Sequence, residues 1–328
     1  MKKLLNNPNE VVEEMLRGIE ITNPDVDYDV EGAVISRKNK TRKVGVVSGG
    51  GSGHEPAHAG YVGYGMLDAA VSGNVFASPS PDRVLRGIQL ADAKEGVLLV
   101  IKNYAGDIMN FEIAEELAKE EGIEVDHVVV KDDVAVEDSD DSTGRRGIAG
   151  TVFVHKIAGA KAESGASLAE VKRVAQKAIQ NVRSFGVSLS SCTIPAVGKA
   201  GFTIEENKME VGMGIHGEPG IIKTKLGTSK EVSNLIVNRI LEDMDYGDNS
   251  EVAVMVNGLG GTPLMELYIL AADIDHELKE HGLQPIKYYV GNYMTAIEMA
   301  GASCSLLKLD DELKELLLMP CNTSALKE

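Results

Sequence analysis

The stretch Lys43-Val44-Gly45-Val46-Val47-Ser48-Gly49-Gly50-Gly51-Ser52-Gly53-His54-Glu55-Pro56 decides the fold class. Its first half is a short β-branched run of the kind that makes a buried strand. Its second half is a glycine-rich loop ending in an imidazole and a carboxyl. A strand that runs straight into such a loop is where an open α/β protein keeps its site, outside the carboxyl end of the strand. The flanking sequence continues the alternation. Residues 67–71, 97–101 and 125–130 read as strands, and 108–121 as a helix. Ser80 followed by Pro81 is an N-cap and first-turn signature. Val11, Val12, Met15, Leu16 and Ile19 share one face of an amphipathic helix over residues 9–20. This strand-loop-helix rhythm predicts a mainly parallel sheet covered by helices.

The second half of the chain reads differently. Two helical stretches fill residues 149–184, and apparent strands near 185–194, 202–204 and 208–215 then follow each other closely. Further strands are expected at 252–256 and 286–290 among helices, which favours a mixed sheet. The expectation is therefore an α/β protein of two domains. Residues 1–183 form the first, with the glycine-rich loop and Asp107, and residues 184–328 the second, with His216. A length of 328 residues agrees with a prior of roughly 150 per domain.

Composition excludes several functions. Lys plus Arg is 33 and Asp plus Glu is 50, a net charge of −17 that repels phosphate backbones and anionic membranes. With no Trp and 4% aromatic residues, a base-stacking platform is absent, so no nucleic-acid partner is expected. Apolar runs such as Val97–Ile101 fall far short of the roughly 18 residues of a membrane span. The start, Met1-Lys2-Lys3-Leu4-Leu5-Asn6-Asn7-Pro8, lacks the apolar core of a secretory signal, which places the chain in the cytoplasm. Cys192, Cys304 and Cys321 are odd in number and widely spaced, so they read as reduced thiols.

Several motifs carry chemistry only in part. Gly49–Gly53 can turn backbone N–H groups toward an anion or a polyol, but the Lys-Ser/Thr of a Walker loop is missing. Gly212-Met213-Gly214-Ile215-His216-Gly217 matches the dinucleotide fingerprint, yet Glu218-Pro219-Gly220 stands where the helix must begin. His54-Glu55-Pro56-Ala57-His58 matches the zincin pattern, and Pro56 denies it a continuous helix. The acidic run containing Asp132, Asp133, Asp138, Asp140 and Asp141 lacks calcium-loop spacing and reads as solvated surface, so no metal site is expected. His54 and His216 stand out among seven histidines because each is set in glycine and lies just ahead of a Glu-Pro pair. Asp107, in a polar loop after an apolar strand, fits a general base or a helix cap equally well.

Residues 49–56, the run Lys102-Asn103-Tyr104-Ala105-Gly106-Asp107-Ile108-Met109-Asn110-Phe111 and residues 212–220, in this order, closely resemble the substrate-binding subunit of the dihydroxyacetone kinases. The start Met1-Lys2-Lys3-Leu4, the segment Thr143-Gly144-Arg145-Arg146-Gly147 and the segment Leu259-Gly260-Gly261-Thr262-Pro263-Leu264 extend the resemblance over nearly the whole chain, except for residues 226–250. It implies that His216 adds covalently to the ketone carbon of dihydroxyacetone as a hemiaminal. It implies that His54 and Asp107 take the proton of the hydroxyl being phosphorylated, and that Gly51, Ser52, Gly53 and Lys102 hold the substrate. An imidazole of ordinary pKa, about 6.5, is available in neutral form near pH 7. Family members that use ATP directly carry a further helical nucleotide domain. This chain stops at Glu328 without one and resembles instead the separate subunit of the phosphoenolpyruvate-dependent bacterial type. In that type no cofactor is tightly bound here, ADP or ATP and magnesium sit on a partner subunit, and a phosphotransferase protein recharges the nucleotide. The family also implies a homodimer. A regulatory paralogue that senses the triose through a transcriptional regulator remains the alternative.

Overall fold

The glycine run lies inside a strand rather than beyond one. In the computed structural model, which describes residues 2–137, 144–216 and 220–328, the opening helix α1 (Val11–Thr22) precedes β1 (Val26–Asp29), β2 (Val34–Arg37), β3 (Gly45–Ser52) and β4 (Ala69–Val75). Strand β3 continues through Gly49, Gly50 and Gly51 because these residues pair in parallel with Val71, Ser72 and Gly73 of β4. The glycines are what permits the pairing. A Cβ on Gly51 would stand 2.6 Å from the backbone nitrogen of Ala77 and 2.9 Å from Phe76 Cα.

The chain continues with α2 (Pro81–Ala91), β5 (Val97–Lys102), α3 (Ala105–Glu120), β6 (Val125–Val130), α4 (Thr151–Glu163) and α5 (Leu168–Asn181). The first sheet has the order β1-β2-β4-β3-β5-β6. Strands β4, β3, β5 and β6 run parallel, and β1 and β2 form an antiparallel edge. Val97, Leu99 and Ile101 of β5 pack with Ile88 of α2 and Phe111 of α3, while the alternate residues Leu98 and Val100 are buried as well. A strand apolar on both sides belongs to a parallel sheet covered on both faces.

The remaining elements are β7 (Val182–Ser188), β8 (Lys208–Val211), β9 (Ile222–Lys225), α6 (Ser229–Asp243), β10 (Glu251–Gly258), α7 (Leu264–Glu280), β11 (Gln284–Gly291), β12 (Gly301–Lys308) and α8 (Asp311–Leu318). The second sheet is mixed, with order β11-β10-β12-β7-β8-β9. Only β10 and β11 are parallel. Ile236 and Ile240 of α6 and Leu267, Ile274 and Leu278 of α7 pack on Val252, Val254, Val256, Cys304 and Leu306. Helix α6 opens on a capping box between Thr228 and Glu231. The strand expected at 202–204 is irregular backbone instead, and β7 stops at Ser188 rather than running to 194.

Two units result. One comprises Met1–Val130, Val152–Gln180 and Leu313–Glu328, and the other Lys131–Thr151 and Asn181–Glu312. A single boundary at residue 183 would place 131–151 and 313–328 otherwise. In the first unit the returning segment is tied down by backbone bonds from Asn322 to Tyr64 and from Ala325 to Gly60, each 2.9 Å. The buried Lys156 ammonium of α4 donates to the carbonyls of Leu316, at 3.3 Å, and Met319. The same unit holds a buried charge cluster. Asp68 accepts from Lys43 at 2.6 Å and Arg37 at 3.1 Å, and Glu163 pairs with Arg37 and lies 3.8 Å from Lys43. No helix among the described residues is long and apolar enough to cross a membrane.

Candidate functional site

The carboxyl ends of β3 and β5 bring most of the expected site residues together. Lys102 is the last residue of β5, and Asp107 lies in the first turn of α3 just beyond it. Both are buried, with Lys102 at 0% exposure and Asp107 at 2%. The Lys102 ammonium lies 3.5 Å from Asp107 Oδ2 and donates to the Gly49 carbonyl at 3.2 Å. Ser78, in the loop after β4, donates to Asp107 Oδ1. Asp107 therefore makes no cap for α3, whose N-cap is Tyr104 without a side-chain cap bond. Its carboxylate is oriented by an ammonium and a hydroxyl. Gly50 has φ +148 and faces this pair, so a Cβ there would meet the Lys102 ammonium.

Gly51, Ser52, Gly53 and His54 are all buried in the same stretch. Ser52 donates to the Gly73 carbonyl at 2.8 Å, and the Gly53 N–H donates to the Glu55 carboxyl at 3.0 Å. Burial pushes the Glu55 carboxyl above the usual carboxylate range. The His54 ring stacks on Phe76 with centroids 5.2 Å apart and planes 25° apart. His54 and His58 share no helix: the chain between them turns and ends in a single 3-10 turn, Ala59–Tyr61. This agrees with the exclusion of a zincin helix at Pro56.

Two further imidazoles complete the cluster. His58 Nε2 lies 3.1 Å from the Lys102 ammonium, and His58 Nδ1 lies 2.9 Å from Nε2 of His155 in α4. Ser48 Oγ is 3.4 Å from His58 Nδ1. Burial, with the Lys102 charge added, holds His58 well below the ordinary histidine value and His155 at about 3. Sequence reading missed this pair. The one signal in the sequence is His58 four residues after His54, a spacing that reads as a metal motif.

His216 lies in the second unit, separated from the end of β8 by the four residues Gly212-Met213-Gly214-Ile215. Gly212 has φ +70, the left-handed conformation that glycine adopts without strain. Its N–H donates to the Gly186 carbonyl, and its carbonyl accepts from Arg146, both at 2.9 Å. Met213 and Ile215 are buried at 3% exposure each, and His216 is half-buried. Gly217, Glu218 and Pro219 lie outside the described residues.

The acidic run is not solvated surface where it is described. Asp132 and Asp133 are fully buried. Asp132 accepts from the N–H groups of Ile148 and Gly150, both at 2.8 Å, and from Ser184. Asp133 pairs with Arg146 at 2.8 Å, and burial pushes its carboxyl up to about 7 against that pull. The same guanidinium thus ties Asp133 to the loop that carries His216. Asp138, Asp140, Asp141 and Thr143 lie outside the described residues. Among the described residues, Glu115, Asp126 and His127 could surround a cation. Their oxygens are already engaged by Lys119 at 2.5 Å and Lys172 at 2.6 Å.

Buried ammonium, carboxylate and imidazole groups at the ends of parallel strands make the framework of a site for a small polar ligand. Residues 17–325 match the Dak1 domain, and the chain belongs to that family. It is 52% identical over 328 residues to the dihydroxyacetone-binding subunit DhaK of PTS-dependent dihydroxyacetone kinase 1 from Listeria innocua, covering 99% of this chain and 100% of that one. Among solved structures, the dihydroxyacetone kinase of C. freundii superposes with a TM-score of 0.91 at 38% identity, over 98% of this chain and 60% of that one. The dihydroxyacetone kinase operon co-activator Dha-DhaQ superposes with a TM-score of 0.91 at 36% identity, over 95% of this chain and 97% of that one.

Proposed function

We propose that this chain is the dihydroxyacetone-binding subunit of a phosphoenolpyruvate-dependent dihydroxyacetone kinase of the cytoplasm. The observation that carries the reading is the 52% identity to the Listeria innocua subunit along all of that protein's length. In this reading His216 captures the substrate. A ring nitrogen lone pair forms the C–N bond to the ketone carbon, the carbonyl electron pair moves to oxygen, and that oxygen takes the proton released by the other ring nitrogen. Nothing leaves, and only a carbonyl compound can be held this way, so glycerol is rejected.

The substrate hydroxyl then bonds to the terminal phosphorus of nucleotide carried with magnesium by a separate subunit, and the bond to ADP breaks. The hydroxyl proton passes to Asp107 or His54. Asp107 suits this role because its carboxylate is held by Ser78 and Lys102 and still has lone pairs to offer. Gly51, Ser52, Gly53 and Lys102 hold the triose. Phosphoryl transfer is mostly positioning and charge stabilisation, which is what such a subunit supplies. A phosphotransferase protein recharges the nucleotide, and two copies of the chain form a homodimer.

The test is carbon NMR with dihydroxyacetone labelled at its ketone carbon. A protein-bound tetrahedral carbon, distinct from free hydrate and lost in His216→Ala, is expected. Reconstitution with the ADP-binding and phosphotransfer subunits should then yield dihydroxyacetone phosphate from phosphoenolpyruvate. Folded wild-type protein without the adduct refutes the capture. The superposition on the operon co-activator favours one second reading, a triose sensor. An adduct without turnover, together with dihydroxyacetone-dependent binding to a regulator, would select it.

A further inference from the structure

The Lys102 ammonium fixes the protonation of the imidazoles beside it. An ammonium has three donors and no acceptor. Lys102, fully buried, directs them to Gly49 O at 3.2 Å, His58 Nε2 at 3.1 Å and Asp107 Oδ2 at 3.5 Å. Since Lys102 can only donate, His58 Nε2 must be the lone-pair nitrogen and the proton of His58 must sit on Nδ1. That proton points to His155 Nε2, 2.9 Å away. Ser48 Oγ, the other neighbour of Nδ1, already donates its own proton to the Val100 carbonyl at 2.7 Å. His155 is thereby fixed too: Nε2 accepts and Nδ1 carries the hydrogen, buried with no hydrogen-bond partner among the described residues. A buried donor left unpaired costs stability, so an apolar side chain at 155 would serve packing better.

We propose that His58, backed by His155, is a positioning residue for the chemistry at Asp107: as its Nδ1–H tautomer it holds the Lys102 ammonium against Asp107 Oδ2. The inference rests on the kinase reading given above. Ser78 grips Asp107 Oδ1 and Lys102 approaches Oδ2, so the carboxylate is fixed from both sides and keeps lone pairs to accept from a substrate hydroxyl. Neither imidazole competes for that proton, because burial beside the Lys102 charge keeps both neutral. The pair works as an acceptor and a spacer.

The first test needs no activity. In protein labelled with nitrogen-15 histidine, His58 should show a protonated, pyrrole-type Nδ1 and a pyridine-type Nε2, assigned by their loss in His58→Gln. A protonated Nε2 or an imidazolium overturns the proposal. In the reconstituted kinase, His58→Leu should lower kcat by about tenfold to a hundredfold while the labelled adduct persists. His58→Gln, whose side-chain oxygen accepts from Lys102 and whose N–H donates to His155, should recover most of that loss. A leucine variant with wild-type kcat, or a glutamine variant no better than leucine, overturns it. Wild-type protein that shows the tautomer but no turnover with competent partners counts against the kinase reading instead.

Discussion

Replacing Asp68 by alanine tests whether the buried charge cluster of the first unit contributes what its geometry implies. Asp68 Oδ2 accepts from Lys43 at 2.6 Å and from the Val46 N–H at 2.9 Å, and Oδ1 accepts from Arg37 at 3.1 Å. The Lys43 side chain is 5% exposed, Arg37 9% and Glu163 7%, so water screens these charges little. Without Asp68, two buried cations share the carboxylate of Glu163 and the Val46 N–H loses its acceptor. Removing one member of a buried pair costs about 3–5 kcal/mol. The assay is urea unfolding followed by far-UV circular dichroism, since the chain has no Trp. The midpoint should fall with an unchanged m-value. The control is Asp27→Ala, which breaks the exposed pair with Lys38, 3.5 Å apart. That loss should stay within about 1 kcal/mol. The double variant Lys43→Met with Asp68→Leu leaves Arg37 and Glu163 as one matched pair and should be more stable than Asp68→Ala alone. If Asp68→Ala costs no more than Asp27→Ala, the reasoning is wrong.

Acid should act through the buried imidazoles. Both are depressed in the folded chain, His155 to about 3, whereas the unfolded chain protonates near ~6.5. Below that value the unfolded state binds protons that the folded state refuses, so stability falls as pH falls, by up to ~1.4 kcal/mol per pH unit for each. His155→Gln should remove one such contribution, and urea midpoints at pH 6 and pH 4.5 would check it; an unchanged difference between the two refutes it. Gly51→Ala brings a Cβ to 2.6 Å from the Ala77 nitrogen, where backbone cannot yield. A loss of about 1–3 kcal/mol is expected in calorimetry. Thr228→Ala removes the acceptor of the Glu231 N–H at 3.4 Å and should cost the second unit about 1 kcal/mol. Urea titration of the purified variant measures it.

What the sequence made legible follows from how local each signal is. The run Val97–Ile101, apolar on both faces, announced a covered parallel strand, and β5 is one. Strands β1 and β2 went unread because each has only four residues and their pairing is with each other and with β4. Residues 226–250 offered no resemblance, yet the box at Thr228 and Glu231 starts a regular helix there. Strand β3 ran longer than expected because glycine reads locally as a turn, while here it admits neighbouring backbone. Lys102 and Asp107 are close in sequence and were legible together. His155 was not, since its partner His58 lies 97 residues earlier and nothing near it in sequence hints at the contact.

The order of the two units along the chain bears on how the protein is made. Residues 131–151 and 181–312 are interpolated into the first unit, whose third segment is Leu313–Glu328. On the ribosome all six strands of the first sheet are made by Val130, whereas His155 and the segment that bonds to Gly60, Tyr64 and Lys156 come later, so the Lys102 cluster is completed after its sheet. A sheet whose later packing segments are still unmade exposes apolar surface to aggregation. The interpolation thus separates in time the making of the strands from the completion of the charged site they carry.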